Sequence, residues 1–237
     1  MSPHPIDTSC SVPVPNDHNF MPPAANASRS PCPALNVLAN HGYINRSGRD
    51  ISFFELVGAL RLVYNLTLPL AFFLTMGGII LGGHQGVLSR IDLHDLARHN
   101  AIEHDASLSR SNANSDDQFA PVEVDEYVVA RLVSPTTTHG GFSLRDLAKA
   151  RMDREVSLHA DLDAVHRVVA AGEASMTWLL MKDSHGLVPS KVIKQWYGEE
   201  RLPDEYHPPA SPIGLKKTHA NANRVTSWIS HLQHKST

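Results

Sequence analysis

Cys32 lies between two prolines in the run Pro31-Cys32-Pro33-Ala34-Leu35-Asn36-Val37-Leu38-Ala39-Asn40-His41-Gly42. Proline suits the first helical position, because its missing N–H would have no partner there. The run therefore predicts a helix from about Pro33 to His41, with Cys32 as its N-cap and Gly42 as its left-handed stop. A sulfur at that cap faces the free N–H groups of Ala34 and Leu35 and the positive end of the helix dipole. Those groups lower a thiol pKa, so a thiolate is expected, and a thiolate is a nucleophile or a metal ligand. The alternative is a buried, inert cysteine that happens to start a helix.

A second group with chemical potential is Glu173. Val165, Val169, Met176 and Leu180 recur at helical spacing, and Glu173 falls on the same stripe. A carboxylate there is costly unless paired or used, and burial is expected to raise its pKa toward the range of a proton shuttle. Ala170, Gly172 and Ala174 leave room beside it. The alternative is a glutamate turned to solvent or to a structural partner. The third group is Glu103-His104-Asp105-Ala106-Ser107. On a helical turn Glu103 and Ser107 would aim their oxygens the same way and offer hard ligands for magnesium or calcium. Alone, the segment reads equally as a charged helix end, with His104 free to orient a carboxylate. Haem accounts for all three together. A thiolate ligand favours O–O cleavage, a distal carboxylate moves a peroxide proton, and a cation can hold a haem propionate.

The elements that must hold these groups are helical. The stretch 1–27 reads as an extended arm carrying Pro3, Pro5, Pro13, Pro15, Pro22 and Pro23. A second helix starts at Ser52, where Ser52 and Glu55 form a capping box and Ile51 and Leu56 a hydrophobic staple. From Leu62 to Ser89 there is no Lys, Arg, Asp or Glu. Pro69, Gly77, Gly78, Gly82 and Gly83 interrupt that run, so one or two buried helices beneath a cofactor are expected rather than a membrane span. A short helix follows at Asp92–Asn100, then a polar loop over 111–121, a helix over Val122–Leu132 and a turn over Ser134–Gly141. Ser143 caps a helix to about Val156. Further helices are expected over Leu162–Met181 and Pro189–Glu200, and the tail from Pro203 is proline-rich, then polar. No strand alternation and no internal repeat stands out.

Bulk properties narrow the class. The chain has 237 residues, with 42% apolar and 19% charged, which suits a single globular core. A net charge of −3 excludes a basic nucleic-acid groove. Cys10 and Cys32 cannot form a disulfide framework, and the 15 histidines carry no HExxH spacing. Asn26, Asn45 and Asn65 head glycosylation acceptor patterns, while no signal peptide is visible.

In these segments the chain resembles the fungal haem-thiolate peroxidases, the family of chloroperoxidase and the unspecific peroxygenases. The resemblance rests on Pro31-Cys32-Pro33-Ala34-Leu35-Asn36, Leu38-Ala39-Asn40-His41-Gly42-Tyr43-Ile44 and Gly48-Arg49, followed by Glu103-His104-Asp105-Ala106-Ser107-Leu108-Ser109-Arg110. Arg154-Glu155-Val156-Ser157, Gly172-Glu173-Ala174 and Trp196-Tyr197-Gly198-Glu199-Glu200-Arg201-Leu202-Pro203 extend it over roughly 28–209. It implies a mainly α, single compact domain enclosing haem b, flanked by the arm 1–27 and a tail 210–237. It implies Cys32 as axial iron ligand, Glu173 as distal acid–base and His104 as the group that orients Glu173. Glu103, Ser107 and the His104 carbonyl would bind magnesium or manganese. The histidine of the EHD form is similar to the short peroxygenases; the longer ones pair the glutamate with an arginine. The implied reaction is insertion of oxygen from hydrogen peroxide into C–H or C=C bonds of small organic substrates, with peroxidase and haloperoxidase side activity. A haem carrier or sensor is the alternative. The implied partners are peroxide and substrate, with no nucleic acid and no membrane, in a monomer or homodimer. The family is typically secreted.

Overall fold

A computed structural model describes residues 17–114, 116–134, 140–156, 158 and 161–236. Cys10, most of the arm and residues 135–139 of the expected turn lie outside that set. The chain is mainly helical. Its first helix, α1 (Pro33–Asn40), starts where the prolines predict, with Cys32 as an extended N-cap and Gly42 at φ +68° just past its end. Residues 17–27 of the arm carry no helix or strand. They lie along the end of α1, where the His18 ring stacks on Tyr43 at 3.7 Å and Met21 N–H donates to Asn40 O at 2.9 Å.

After β1 (Ile51–Ser52), α2 (Phe53–Tyr64) opens with the expected capping box of Ser52 and Glu55. The next helix, α3 (Leu68–Leu81), corrects the expectation of a helix buried beneath a cofactor. It buries Leu70, Ala71, Thr75, Gly78 and Ile79, but leaves Phe73 64% and Ile80 56% exposed. The reason is its position: α3 packs on α2 and on the short 3-10 turn Leu93–Ala97, and no described element covers its outer side. No helix is long and apolar enough to cross a membrane among the described residues.

The strand β2 (Arg90–Ile91) pairs antiparallel with β1, Ile51 opposite Ile91. Beyond the 3-10 turn the chain runs irregularly to α4 (Glu126–Val133), capped by Asp125. Next come β3 (Gly141–Phe142), α5 (Leu144–Glu155) with a Ser143–Asp146 capping box, and α6 (Ala164–Met181), whose cap Asp163 accepts from Val165 and His166 N–H. The strand β4 (Val188–Pro189) pairs with β3, and α7 (Ser190–Ile193) runs on into a π-helical turn over Lys194–Gly198.

Two further differences from the sequence reading concern α6 and the tail. On α6 the stripe Val165–Val169–Glu173–Met176–Leu180 reaches the core only at its C-terminal end, where Leu180 is buried and Met176 packs against the core. Val165 is 63% exposed, and the core face is instead His166, Ala170, Ala174, Thr177 and Met181. Both stripes have helical spacing; α8 (Leu215–Ser236) and α5 both pack on α6, and Thr218 of α8 also reaches Met176 of the first stripe. The helix α8 occupies most of the expected polar tail. Its Val225 is fully buried, and Ser175 Oγ of α6 donates to Thr218 O at 3.1 Å. The core joins Leu38 and Ala39 of α1, Tyr64 of α2, Leu147 of α5 and Trp196 of the π turn.

Candidate active site

The end of α1 that carries Cys32 rests on the π turn. Tyr64 meets the Trp196 ring edge-on at 5.8 Å and its hydroxyl donates to Ala34 O at 2.7 Å, holding the first turn of α1 in place. The Cys32 thiol is free and half-buried, and makes no capping hydrogen bond. Its pKa departs from the expectation. Burial pushes it up to about 11, against the pull of the Leu35 N–H; Glu173 raises it further, while Ala34 N–H and Arg110 lower it. The dipole and the N–H groups are present, but desolvation of a bare thiolate costs more than they return. The thiol is therefore neutral when nothing coordinates it.

Glu173 stands midway along α6 and acts electrostatically on the Cys32 sulfur. Its side chain is 43% exposed, although protein groups surround it. Beside it, a Cβ placed on Gly172 would touch nothing within 4 Å. Burial raises the Glu173 pKa, but the charge and contact of His104, then Arg151 and Arg110, outweigh it and leave the carboxyl below its ordinary value. The expected upward shift is thus reversed, because three cationic groups from other elements face it.

His104 Nε2 lies 3.4 Å from Glu173 Oε2, an ion-pair contact outside hydrogen-bond geometry. His104 Nδ1 is 2.7 Å from Asp105 O. A carbonyl only accepts, so Nδ1 carries a proton. Nε2 then donates only in the imidazolium, and the His104–Glu173 pair is attractive when it holds one proton between the two residues. The pKa directions agree. Burial would lower His104, but the Glu173 charge raises it above its ordinary value.

The segment Glu103–Ser107 is not a helical turn, which corrects that expectation. Ala106 sits at φ +63° and ends any helical register. The Glu103 carboxylate instead meets His99 Nδ1 at 2.8 Å, and burial raises its pKa. Ligand atoms of His99, Glu103 and Asp105 lie within 4.8 Å of one another. Ser107 Oγ accepts from Ser109 N–H at 3.2 Å. Glu103 is common to this cluster and to the expected cation ligands.

Sequence reasoning gave no role to Arg151. It is fully buried on α5, donates through Nη1 to Ala106 O and through Nη2 to Glu155 at 2.9 Å, and its charge acts on both His104 and Glu173. A signal was present: Leu144, Leu147, Ala148 and Arg151 form one buried stripe, and an arginine on such a stripe has a partner to serve. A separate cavity of about 410 Å³ between α4 and α5, with Tyr127, Arg131, Phe142 and Lys149 in its wall, touches none of Cys32, His104 or Glu173.

A cysteine-capped helix and a histidine–glutamate pair thus occur together in a mainly helical domain. The chain belongs to the family described as peroxidase, family 2, whose model matches residues 18–211. It is 31% identical over 225 residues to the chloroperoxidase of Leptoxyphium fumago, covering 83% of this chain and 59% of that protein. It is 22% identical over 218 residues to the aromatic peroxygenase of Coprinellus radians, covering 80% of this chain and 82% of that protein. A shorter match, 41% identical over 75 residues, is to the aromatic peroxidase fscJ of Fusarium equiseti and covers 17% of it. The chain thus spans less than two thirds of the chloroperoxidase and a small part of fscJ.

Proposed function

We propose that this protein is a haem-thiolate peroxygenase that uses hydrogen peroxide to oxidise small organic molecules. The observation that supports the reading is a free cysteine at a helix N-terminus whose sulfur feels the charge of Glu173, itself 3.4 Å from His104. The residues fit the group. A free thiol sits at a helix N-terminus, an accessible carboxylate acts on its sulfur, and the space beside Gly172, next to that carboxylate, is open. When bound, haem supplies the redox chemistry of O–O cleavage and oxygen transfer.

The chain's own residues do the rest. Cys32 is the residue that would hold the haem iron, as a thiolate, with the Ala34 and Leu35 N–H groups facing the sulfur. Glu173 takes a proton from one oxygen of hydrogen peroxide and returns it to the other, which leaves as water. His104 and Arg151 keep Glu173 ionised between turnovers, so it is ready to accept. A carrier or sensor has no use for such an acid–base pair.

The test is the spectrum of the haem-loaded, reduced protein under carbon monoxide. A red-shifted, thiolate-type Soret band supports the reading; a histidine-type band, or no haem uptake, overturns it. In a protein that passes, Glu173→Gln should retain haem and lose peroxide-driven oxygenation by about 10²–10⁴-fold, the usual contribution of a positioned acid–base. Retained activity would remove Glu173 from the mechanism.

A further inference from the structure

Glu200 follows the π turn and is 8% exposed, with its backbone at φ +48°. A non-glycine residue in the left-handed region is held there by its surroundings. Its carboxylate Oε1 accepts from Asn36 Nδ2 at 2.8 Å and from Arg110 Nη2. Its carbonyl accepts from Asn40 Nδ2 at 3.0 Å. Asn36 and Asn40 lie on the buried face of α1, four and eight residues after Cys32.

From Asn36 the bonding continues to the sulfur's own turn. Asn36 Oδ1 accepts from Ser30 N–H at 2.9 Å, Asn36 Nδ2 donates to Ser30 O at 2.8 Å, and Ser30 Oγ donates to Cys32 O at 3.2 Å. On the other side, Arg110 ends the segment that carries His104, and its charge acts on both Cys32 and Glu173. Arg110 is 1% exposed. A buried guanidinium so placed needs a counter-charge, and Glu200 is the carboxylate bonded to it.

We infer that Glu200 is a positioning residue that joins the Cys32 turn to the His104 segment and cancels the Arg110 charge beside the sulfur. The inference rests on the haem-thiolate reading for its consequence: the Arg110–Glu200 pair sets how positive the surroundings of the axial ligand are. Removing the negative partner strands a cation near the metal and favours the reduced state.

The experiment is the one-electron reduction potential of the haem-loaded full chain in Glu200→Gln, Glu200→Asp and the double variant Arg110→Met/Glu200→Gln. Glu200→Gln keeps the shape and should shift the ferrous-to-ferric ratio about tenfold toward ferrous, roughly 59 mV for one electron. Glu200→Asp keeps the charge, and the double variant removes both charges; both should return toward the wild-type potential. Amide hydrogen exchange at Asn36, whose N–H donates to Cys32 O at 3.3 Å, should accelerate in haem-free Glu200→Gln, since the Asn36 side-chain tie is weakened. Val225→Ala on α8, which lowers global stability without touching this network, should leave the potential unmoved. An unchanged potential in Glu200→Gln, or an equal shift in the double variant, overturns the inference. If Glu200→Gln yields no folded protein, the double variant decides it: a wild-type potential supports charge cancellation and a shifted one refutes it. Wild-type protein that takes up no haem, or gives a histidine-type spectrum, refutes the haem-thiolate reading instead.

Discussion

The single proton shared by His104 and Glu173 gives the site its pH behaviour. The Glu173 pKa is depressed below 4.5, so its stabilising share is full above that value and is lost as pH falls through the folded pKa. The His104 pKa is raised above 6.5, so its share is full below that value and is lost as pH rises through the folded pKa. The pair is therefore strongest between the two. Replacing His104 with Gln removes the main group that lowers Glu173, so the acid limb of kcat/KM should move to higher pH; a pH profile of peroxide turnover checks this, and an unmoved limb would detach His104 from Glu173. At this scale the sequence singled out Cys32, His104 and Glu173, while the shifts of Cys32 and Glu173 run opposite to those expected from spacing. Each sign is decided by groups far away in the chain. Glu173 is held down by His104, Arg151 and Arg110, and Cys32 is pushed up by burial and by Glu173. Local spacing carries no information on such neighbours.

Among the elements, the helix starts were the most legible feature. The caps at Cys32, Ser52 and Ser143 are local chemistry, decided by three or four adjacent residues, and the structure begins helices at each. Faces were harder to read. On α6 two stripes share helical spacing, α5 and α8 both pack on the helix, and the stripe with Ala170 and Ala174 is the more buried. The polar sequence of α8, with Asn221, Asn223 and several charged residues, concealed that it backs the helix carrying Glu173. That support is measurable. Val225 is fully buried, so Val225→Ala should cost about 2 kcal/mol, the lost transfer energy plus the cavity, read as a lower denaturant midpoint with an unchanged slope. A change within experimental error would show that α8 contributes nothing to global stability.

Over the whole molecule, mainly helical architecture and a single core were legible from composition and periodicity, and the short paired strands were not. Two residues per strand leave no alternation to detect. The apolar run after Leu62 was read as interior because apolar content alone cannot tell a covered helix from one with a bare side. Its outer side has a colloidal consequence. The net charge of −3 is carried by the rest of the surface, since no Lys, Arg, Asp or Glu lies between Leu62 and Ser89. Two molecules meeting through α3 face little electrostatic barrier, whereas other orientations bring charged surfaces together. Sulfate, which is excluded from protein surfaces and strengthens apolar association, should turn the second virial coefficient negative at a lower concentration for wild type than for Phe73→Lys. Static light scattering reads that difference, and equal coefficients would mean that the bare side of α3 has no part in it. On this reading the bare side of α3 would act as an adhesive face on an otherwise charged particle.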